Sequence, residues 1–420
     1  MESAQRSLSI INNQFASNQT MNAGKVLDKS DDDVVIVGMA RTAITKGKRG
    51  AQKDTAPELM LTPVLQAVIK QANIDPKLVE DVAIGNVLQP GAGATTSRIA
   101  MFLAGLPASS SLQAINRQCS SGLQAVMSIA NAIRARQIDF GIGGGVESMS
   151  LYSMEAGVDP NTLSSKAFEH PVAQNCLMPM GITSENVAEQ YKISREKQDQ
   201  MAFESHQKAA RANKEGWAQK EITSYKTMVK DKDGNEKEVL VDRDDGVRAE
   251  TTLEGLKKLK PAFKKDGTTT AGNSSQVSDG ASAVLLTRRD VAKKLGLKVY
   301  GRIVSYAVAG VPPEIMGVGP AYAIPAALKK AGLEVKDIDV FEINEAFASQ
   351  ATMSIEALGV PKEKLNPRGG AIAIGHPLGN TGSRQVVTLF HELERTAKRF
   401  GVISMCIGTG MGAAGVFERE

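Results

Sequence analysis

Asn116-Arg117-Gln118-Cys119-Ser120-Ser121-Gly122-Leu123-Gln124-Ala125 sets a lone cysteine among polar and small residues, directly ahead of an apolar series. Leu123, Val126, Met127, Ile129, Ala130 and Ile133 recur at the spacing of one helical face. Cys119 is therefore expected at or just before a helix N-terminus. There the unpaired backbone N–H groups and the helix dipole favour an anion. A thiolate is such an anion, so the position is expected to lower the thiol pKa by roughly 1–5 units from about 8.5. The competing reading makes Cys119 a small core residue, the fate of most free cysteines.

Around this stretch, 420 residues with 42% hydrophobic and 23% charged side chains describe a soluble globular chain of two or three domains. With 39 glycines and only 4% aromatics, the composition suits the tight turns and close backbone approaches of α/β enzymes. A net charge of +4 gives no footprint for nucleic acid, but it suits an anionic, phosphate-bearing substrate. The three cysteines are far apart and form neither a disulfide framework nor a zinc pattern, so a reducing compartment and no metal are expected. No apolar run approaches the ~18 residues of a membrane span.

Along the chain, 1–31 reads as an N-terminal extension rich in Ser, Asn and Gln, with Leu8, Ile11 and Phe15 on one face of a short amphipathic helix. A disordered tail is the competing reading. Val34–Gly38 is a buried strand, Leu59–Ala72 a helix, Asp81–Val87 a strand, Ser97–Ala104 a helix, and Ile138–Gly143 a strand ending in Glu147. Strands alternating with helices predict an α/β fold with a covered parallel or mixed sheet. Residues 150–268 read as an irregular, Lys-rich inserted loop domain over a site, with a hairpin turn at Lys232-Asp233-Gly234-Asn235. Strand character returns in 268–286. The domains are thus 32–149 with 269–298, the insert 150–268, and 299–420.

The last third repeats the first. Asp81 to Cys119 is 38 residues and Asp337 to His376 is 39; Cys119 to Glu147 is 28 and His376 to Cys406 is 30. That pattern is an internal duplication with a long insertion after the first copy. Two similar halves side by side bring equivalent loops together, so Cys119, His376 and Cys406 are expected in one pocket. This convergence favours a nucleophilic Cys119 over the core reading.

Two cysteines, a histidine and an asparagine suit acyl transfer. Cys119 is the candidate nucleophile and His376, in Gly375-His376-Pro377, the base that takes its proton. Cys406, in a glycine-rich turn, is a candidate acid/base toward a carbon acid. The glycines around it, Gly408 among them, free backbone N–H groups for an oxyanion. Asn344 can hold a water or a carbonyl oxygen. His170, His206 and His391 read as surface or packing residues, and Cys176 as apolar lining or core.

The motifs NRQCSSGLQA, GGGVESMS, TTTAGNSSQVSDG, NEAFASQ, GGAIAIGHPLG and MCIGTGMGAA, in this order from about Asp32 to the C-terminus, resemble the thiolase family, most closely its fungal peroxisomal 3-ketoacyl-CoA branch. The resemblance implies a five-layered αβαβα fold of two duplicated halves with an inserted loop domain that binds coenzyme A. It implies that Cys119 accepts the acyl group, His376 activates it and Cys406 protonates the departing acetyl-CoA enolate. Asn344, through a water, joins His376 in one oxyanion hole, and the Gly408 backbone serves another. Arg248 and Ser275 match coenzyme-A contacts, and Met180 matches a pocket-lining methionine. Coenzyme A is then a substrate and no cofactor is needed. Pro179, where acetoacetyl-CoA thiolases tend to carry His, leans toward broader 3-ketoacyl-CoA substrates. Gly255 departs from a serine seen near the pantetheine.

The resemblance also implies a homodimer. Leu8, Ile11, Gln14 and Phe15 fit a type-2 peroxisomal signal, with its basic residue one place early at Arg6. A peroxisomal import receptor is thus the expected partner at the N-terminus, and the cytosol is the second choice of location. The rival functions are a biosynthetic acetoacetyl-CoA thiolase, a decarboxylating condensing enzyme, a cysteine hydrolase, and an acyl-CoA or lipid carrier. Cys406 argues against the condensing enzyme, which would carry a second histidine.

Overall fold

β1 (Val34–Arg41) is buried over all eight residues, as its apolar run Val34–Ala40 requires of a strand covered on both faces. This computed structural model describes residues 26–154 and 159–420. The helix expected around Leu8–Phe15 and the signal-like pattern lie outside the described residues. After β1 come α1 (Pro57–Ala72), β2 (Asp81–Gly85), α2 (Ala94–Leu103), β3 (Ser111–Ile115), α3 (Ser121–Arg134) and β4 (Phe140–Ser148). Pro57 opens α1, where a missing N–H costs no helical bond, and Asn73 closes it in the left-handed conformation.

The insert departs from its irregular reading, because it holds two long helices, α4 (Met180–Tyr191) and α5 (Arg195–Lys214). α5 buries Ala202, Ser205, Ala209 and Ala212, small residues that leave no large-apolar stripe in the sequence. β5 (Tyr225–Lys230) and β6 (Glu236–Val241) pair antiparallel across the expected turn. β7 (Ser278–Arg288) then completes the first half. The second half runs β8 (Gly301–Gly310), α6 (Gly319–Ala331), β9 (Val340–Ile343), α7 (Ala348–Leu358), α8 (Thr381–Thr396), β10 (Phe400–Ile407) and β11 (Met411–Arg419).

Among the described residues the strands order as β9-β10-β11-β8-β1-β7-β4-β2-β3, with Thr45–Lys46 against β7. The duplication is visible in the pairing. β1 is antiparallel to β7, β7 to β4, and β4 is parallel to β2. In the second half β8 is antiparallel to β11, β11 to β10, and β10 is parallel to β9. The halves meet where Val35 pairs with Arg302 and Ile36 with Gly301.

Side chains of β1 alternate between two cores. Val34 and Ile36 face the central cluster, where α3 (Val126, Ile129, Ile133) packs with α8 (Val386, Leu389, Phe390) between the sheet halves. Val35 and Val37 face α1 and α2. On the far side α6 and α7 cover the second half. The layers are therefore α–β–α–β–α. Buried Arg41 ties the insert to β1, since its Nη1 and Nη2 donate to Asp244 at 2.8 Å each and Nη2 donates to Glu221 at 2.8 Å. Removing either acid would leave a buried charge short of a partner, a change that costs about 3–5 kcal/mol.

Candidate active site

Cys119 lies in the loop two residues ahead of α3, and Gln118 before it takes a left-handed φ of 46°. The side chain of Ser121 closes this loop, accepting from the Arg117 N–H at 2.9 Å and donating to Gln118 O at 2.5 Å. The N-termini of α3 and α8 then pack backbone to backbone. A Cβ on Gly122 would stand 2.6 Å from Gly379 O, and one on Gly382 would stand 2.4 Å from the Leu123 nitrogen. Only glycine permits that approach. It brings the segment that carries His376 against the segment that carries Cys119.

Glu147 bolts the two segments together from the end of β4. Its buried carboxylate accepts from Val87 N at 3.0 Å, Leu88 N at 3.1 Å and Asn86 Nδ2 at 3.1 Å in the first half. From the second half it accepts the Gly379 N–H at 2.8 Å. Burial pushes its pKa up to about 7, with the four donors opposing.

His376 is buried at 4% exposure. Its Nδ1 lies 2.6 Å from Thr381 Oγ1, and that hydroxyl donates to Pro377 O at 3.2 Å. With the hydroxyl hydrogen on Pro377 O, Oγ1 can accept from the ring, and we assign the ring hydrogen to Nδ1. Nε2 keeps its lone pair, with Asn344 Nδ2 at 3.3 Å. Burial, then the charge of Arg384, lowers the pKa to about 3. Asn344 is held where β9 ends, its N–H donating to Ser404 O at 2.8 Å. Its Oδ1 is buried without a protein partner among the described residues.

Cys406 is fully buried in β10, and its thiol donates to Gln350 Oε1 at 3.6 Å. Met316 and Ala346 pack on it, with Met180 and Phe347 at the rim. The Gly408 N–H, past the end of β10, faces the sulfur of Cys119 and favours its charged form. Charge on Cys119 also raises the Cys406 pKa, after the larger effect of burial, so the two sulfurs lie near one another. Ser275 is joined to the same region, its N–H donating to Ala346 O at 3.0 Å. Arg248 stands apart on the exposed insert, its N–H donating to His206 Nδ1 at 3.2 Å. Cys119, Gly408, Cys406 and Met180 therefore form one group and His376 with Asn344 another, on segments that pack together at Gly122 and Gly379; Ser275 bonds to Ala346 beside the first, and Arg248 is on the insert.

Two expectations are corrected. The Cys119 pKa is raised to about 11 rather than lowered. Cys119 is partly exposed as a residue, but protein walls its thiol, and that burial outweighs the N–H donors of Gly408 and Cys119 itself; Glu147 adds repulsion. Cys176 is exposed, not core, because its short helical turn lies on the surface with Leu177. Glu147, Thr381 and Gln350 escaped the sequence reading. Each is an ordinary polar residue whose partners are remote in sequence or hidden in a turn; the one signal was the place of Glu147 and Gln350 inside the quoted motifs, and Thr381 lies two residues past one.

A testable consequence follows for the free protein. With a thiol near 11 and an imidazole near 3, the resting pair is neutral between those values. Inactivation by iodoacetamide, which needs thiolate, is expected to climb through pH 9, where about 1% of Cys119 is ionised. A plateau below pH 8 would show a thiolate–imidazolium pair at rest instead.

The chain matches the family models "Thiolase, N-terminal domain" over residues 34–290 and "Thiolase, C-terminal domain" over 297–419. It is 59% identical over 387 residues to the human peroxisomal 3-ketoacyl-CoA thiolase, covering 92% of this chain and 91% of that one. To the peroxisomal 3-ketoacyl-CoA thiolase of Yarrowia lipolytica it is 55% identical over 412 residues, covering 97% and 99%. Among solved structures, the dimeric peroxisomal thiolase of Saccharomyces cerevisiae superposes with a TM-score of 0.86 at 50% identity, covering 94% of this chain and 100% of that one. Human mitochondrial 3-ketoacyl-CoA thiolase in complex with CoA gives 0.82 at 37% identity, covering 92% and 98%. The five-layered fold and these matches define an acyltransferase. The chain belongs to the thiolase family.

Proposed function

We propose that this chain is a 3-ketoacyl-CoA thiolase, cleaving 3-ketoacyl-CoA with coenzyme A to a shortened acyl-CoA and acetyl-CoA in fatty-acid β-oxidation. The observation that supports the mechanism is a buried neutral imidazole, its Nε2 beside Asn344, on a segment packed against the one that carries Cys119, with the Cys406 thiol near Cys119. Cys119 gives its proton to His376 Nε2 as its sulfur bonds to C3 of the substrate. The C2–C3 bond breaks, and Cys406 gives its thiol proton to C2, releasing acetyl-CoA. Coenzyme A then passes its thiol proton to the Cys406 thiolate and attacks the acyl carbon on Cys119. The C–S bond to Cys119 breaks, and the proton on His376 returns to that sulfur.

Charge that develops on oxygen meets the Gly408 N–H on one side and His376 with Asn344 on the other. Each preorganised donor of this kind contributes about 2.7–4 kcal/mol. In this reading Arg248 and Ser275 hold coenzyme A, Met180 lines the acyl path, and no cofactor takes part. The working form is a homodimer in the peroxisome, delivered by an import receptor that reads the N-terminal extension.

The test is the rate of thiolysis against 3-ketoacyl chain length, with coenzyme A in excess. Medium- and long-chain substrates are expected to be cleaved at least as fast as acetoacetyl-CoA. Cleavage confined to acetoacetyl-CoA would favour the biosynthetic rival. Release of free acid without acyl-CoA would mark a hydrolase, and binding without turnover a carrier.

A further inference from the structure

Gln350 is fully buried in the first turn of α7, beside the sulfur to which the reading above gives the acid/base role. Its Oε1 accepts from the Ala346 N–H at 3.1 Å and from the Cys406 thiol at 3.6 Å. The amide orientation is not arbitrary, because a backbone N–H can only donate and so requires the oxygen on that side. The base of the side chain is wedged against Gly317, where an added Cβ would stand 2.6 Å from the Gln350 Cβ. Apolar Met316, Ala346, Met180 and Phe347 also pack around Cys406, with Cys119 nearby. A thiol rotates freely and donates weakly, so in such a wall its sulfur and hydrogen have no direction of their own.

We propose that Gln350 is the positioning residue of Cys406, fixing its sulfur and storing its proton through the side-chain oxygen. This rests on the thiolase reading of the site. At rest the S–H points at the amide oxygen. When C2 of the departing acetyl-CoA carries the electron pair, the thiol turns about its Cβ–Sγ bond, gives the proton to C2 and becomes a thiolate. That thiolate then faces an oxygen acceptor, which keeps it basic until it takes the proton of incoming coenzyme A. The chemistry of Cys119 uses none of these contacts.

The prediction is therefore a split between two partial reactions of the full-length protein. Exchange of the acetyl-CoA methyl protons with D2O needs Cys406 to move a proton at carbon; transfer of an acetyl group from acetyl-CoA to pantetheine goes through Cys119 and asks Cys406 only for proton transfer between thiols, a far less demanding step. Gln350→Met keeps the length and loses the acceptor. It is expected to slow proton exchange about tenfold or more, while acetyl transfer stays within about threefold of wild type. Gln350→Glu, which burial keeps neutral, retains an acceptor oxygen and is expected to restore proton exchange to within about threefold of wild type. Should Gln350→Met fail to fold, Gln350→Ala reads the same split. Wild-type protein inactive in both reactions and in thiolysis overturns the thiolase reading itself. Active wild type, with Gln350 variants that slow both reactions together or neither, overturns this inference alone.

Discussion

Cys119→Ala is expected to lower thiolysis by on the order of 10⁴-fold or more, and to leave no covalent acyl adduct when the protein is mixed with 3-ketoacyl-CoA. The size follows from what the side chain does in the proposed path, in which every turnover passes through a bond to this sulfur. Imidazole, oxyanion donors and second thiol then act on an intermediate that no longer forms, so their contributions are lost with it. Stability should change little, because the site is a partly exposed loop ahead of α3 and not a packed layer. Intact-protein mass spectrometry provides the check. An acyl mass on the alanine variant would move the nucleophile elsewhere.

His376→Asn should cost about 10²–10⁴-fold in kcat/KM, the usual contribution of a positioned general base. The thiol of Cys119 makes the dependence strong. With a pKa near 11 it does not ionise unaided at neutral pH, so a base must take the proton as the C–S bond forms. The low proton affinity of His376 is no obstacle to this, since the proton leaves again within the same turnover. Thr381→Val tests the same point at one remove. It keeps the shape of the side chain and removes the oxygen that accepts from Nδ1, so the ring is free to place its hydrogen on Nε2, the wrong atom for a base. About a tenfold fall in kcat with KM steady is expected, and Thr381→Ser should recover most of it. A valine variant as active as wild type would show that the tautomer is set by another group.

The duplication made much of this architecture legible. β1, α1, β2 and α3 are apolar runs and faces that local pattern reveals, and matching spacings in the two halves announced two related layers before any contact was known. The hairpin at Lys232–Asn235 was readable from turn chemistry alone. α4 and α5 were not, because their buried faces are mostly small and polar residues, which carry little hydrophobic period. Cys176 was misread for a related reason: its apolar neighbours Leu177 and Met178 mimic a core stretch, yet they lie on the surface or near it. Sequence reasoning named Cys119, His376, Asn344 and Cys406 as candidates from residue type and motif. Glu147, Thr381 and Gln350 gave no such signal, since a carboxylate, a hydroxyl and an amide mean nothing until their partners are known.

By itself, then, the order of residues determined the family, the repeated strand–helix pattern and the chemical types gathered for the site, because each of these is written in short-range spacing. Tertiary structure decided the protonation states. A helix N-terminus argues for a thiolate at Cys119, but closing the two halves strips water from the thiol and sets Glu147 nearby, and desolvation outweighs the backbone donors. The same closure leaves His376 neutral with its hydrogen on Nδ1 and turns the Cys406 thiol toward Gln350. Burial and orientation are properties of the packed whole, and local sequence does not contain them.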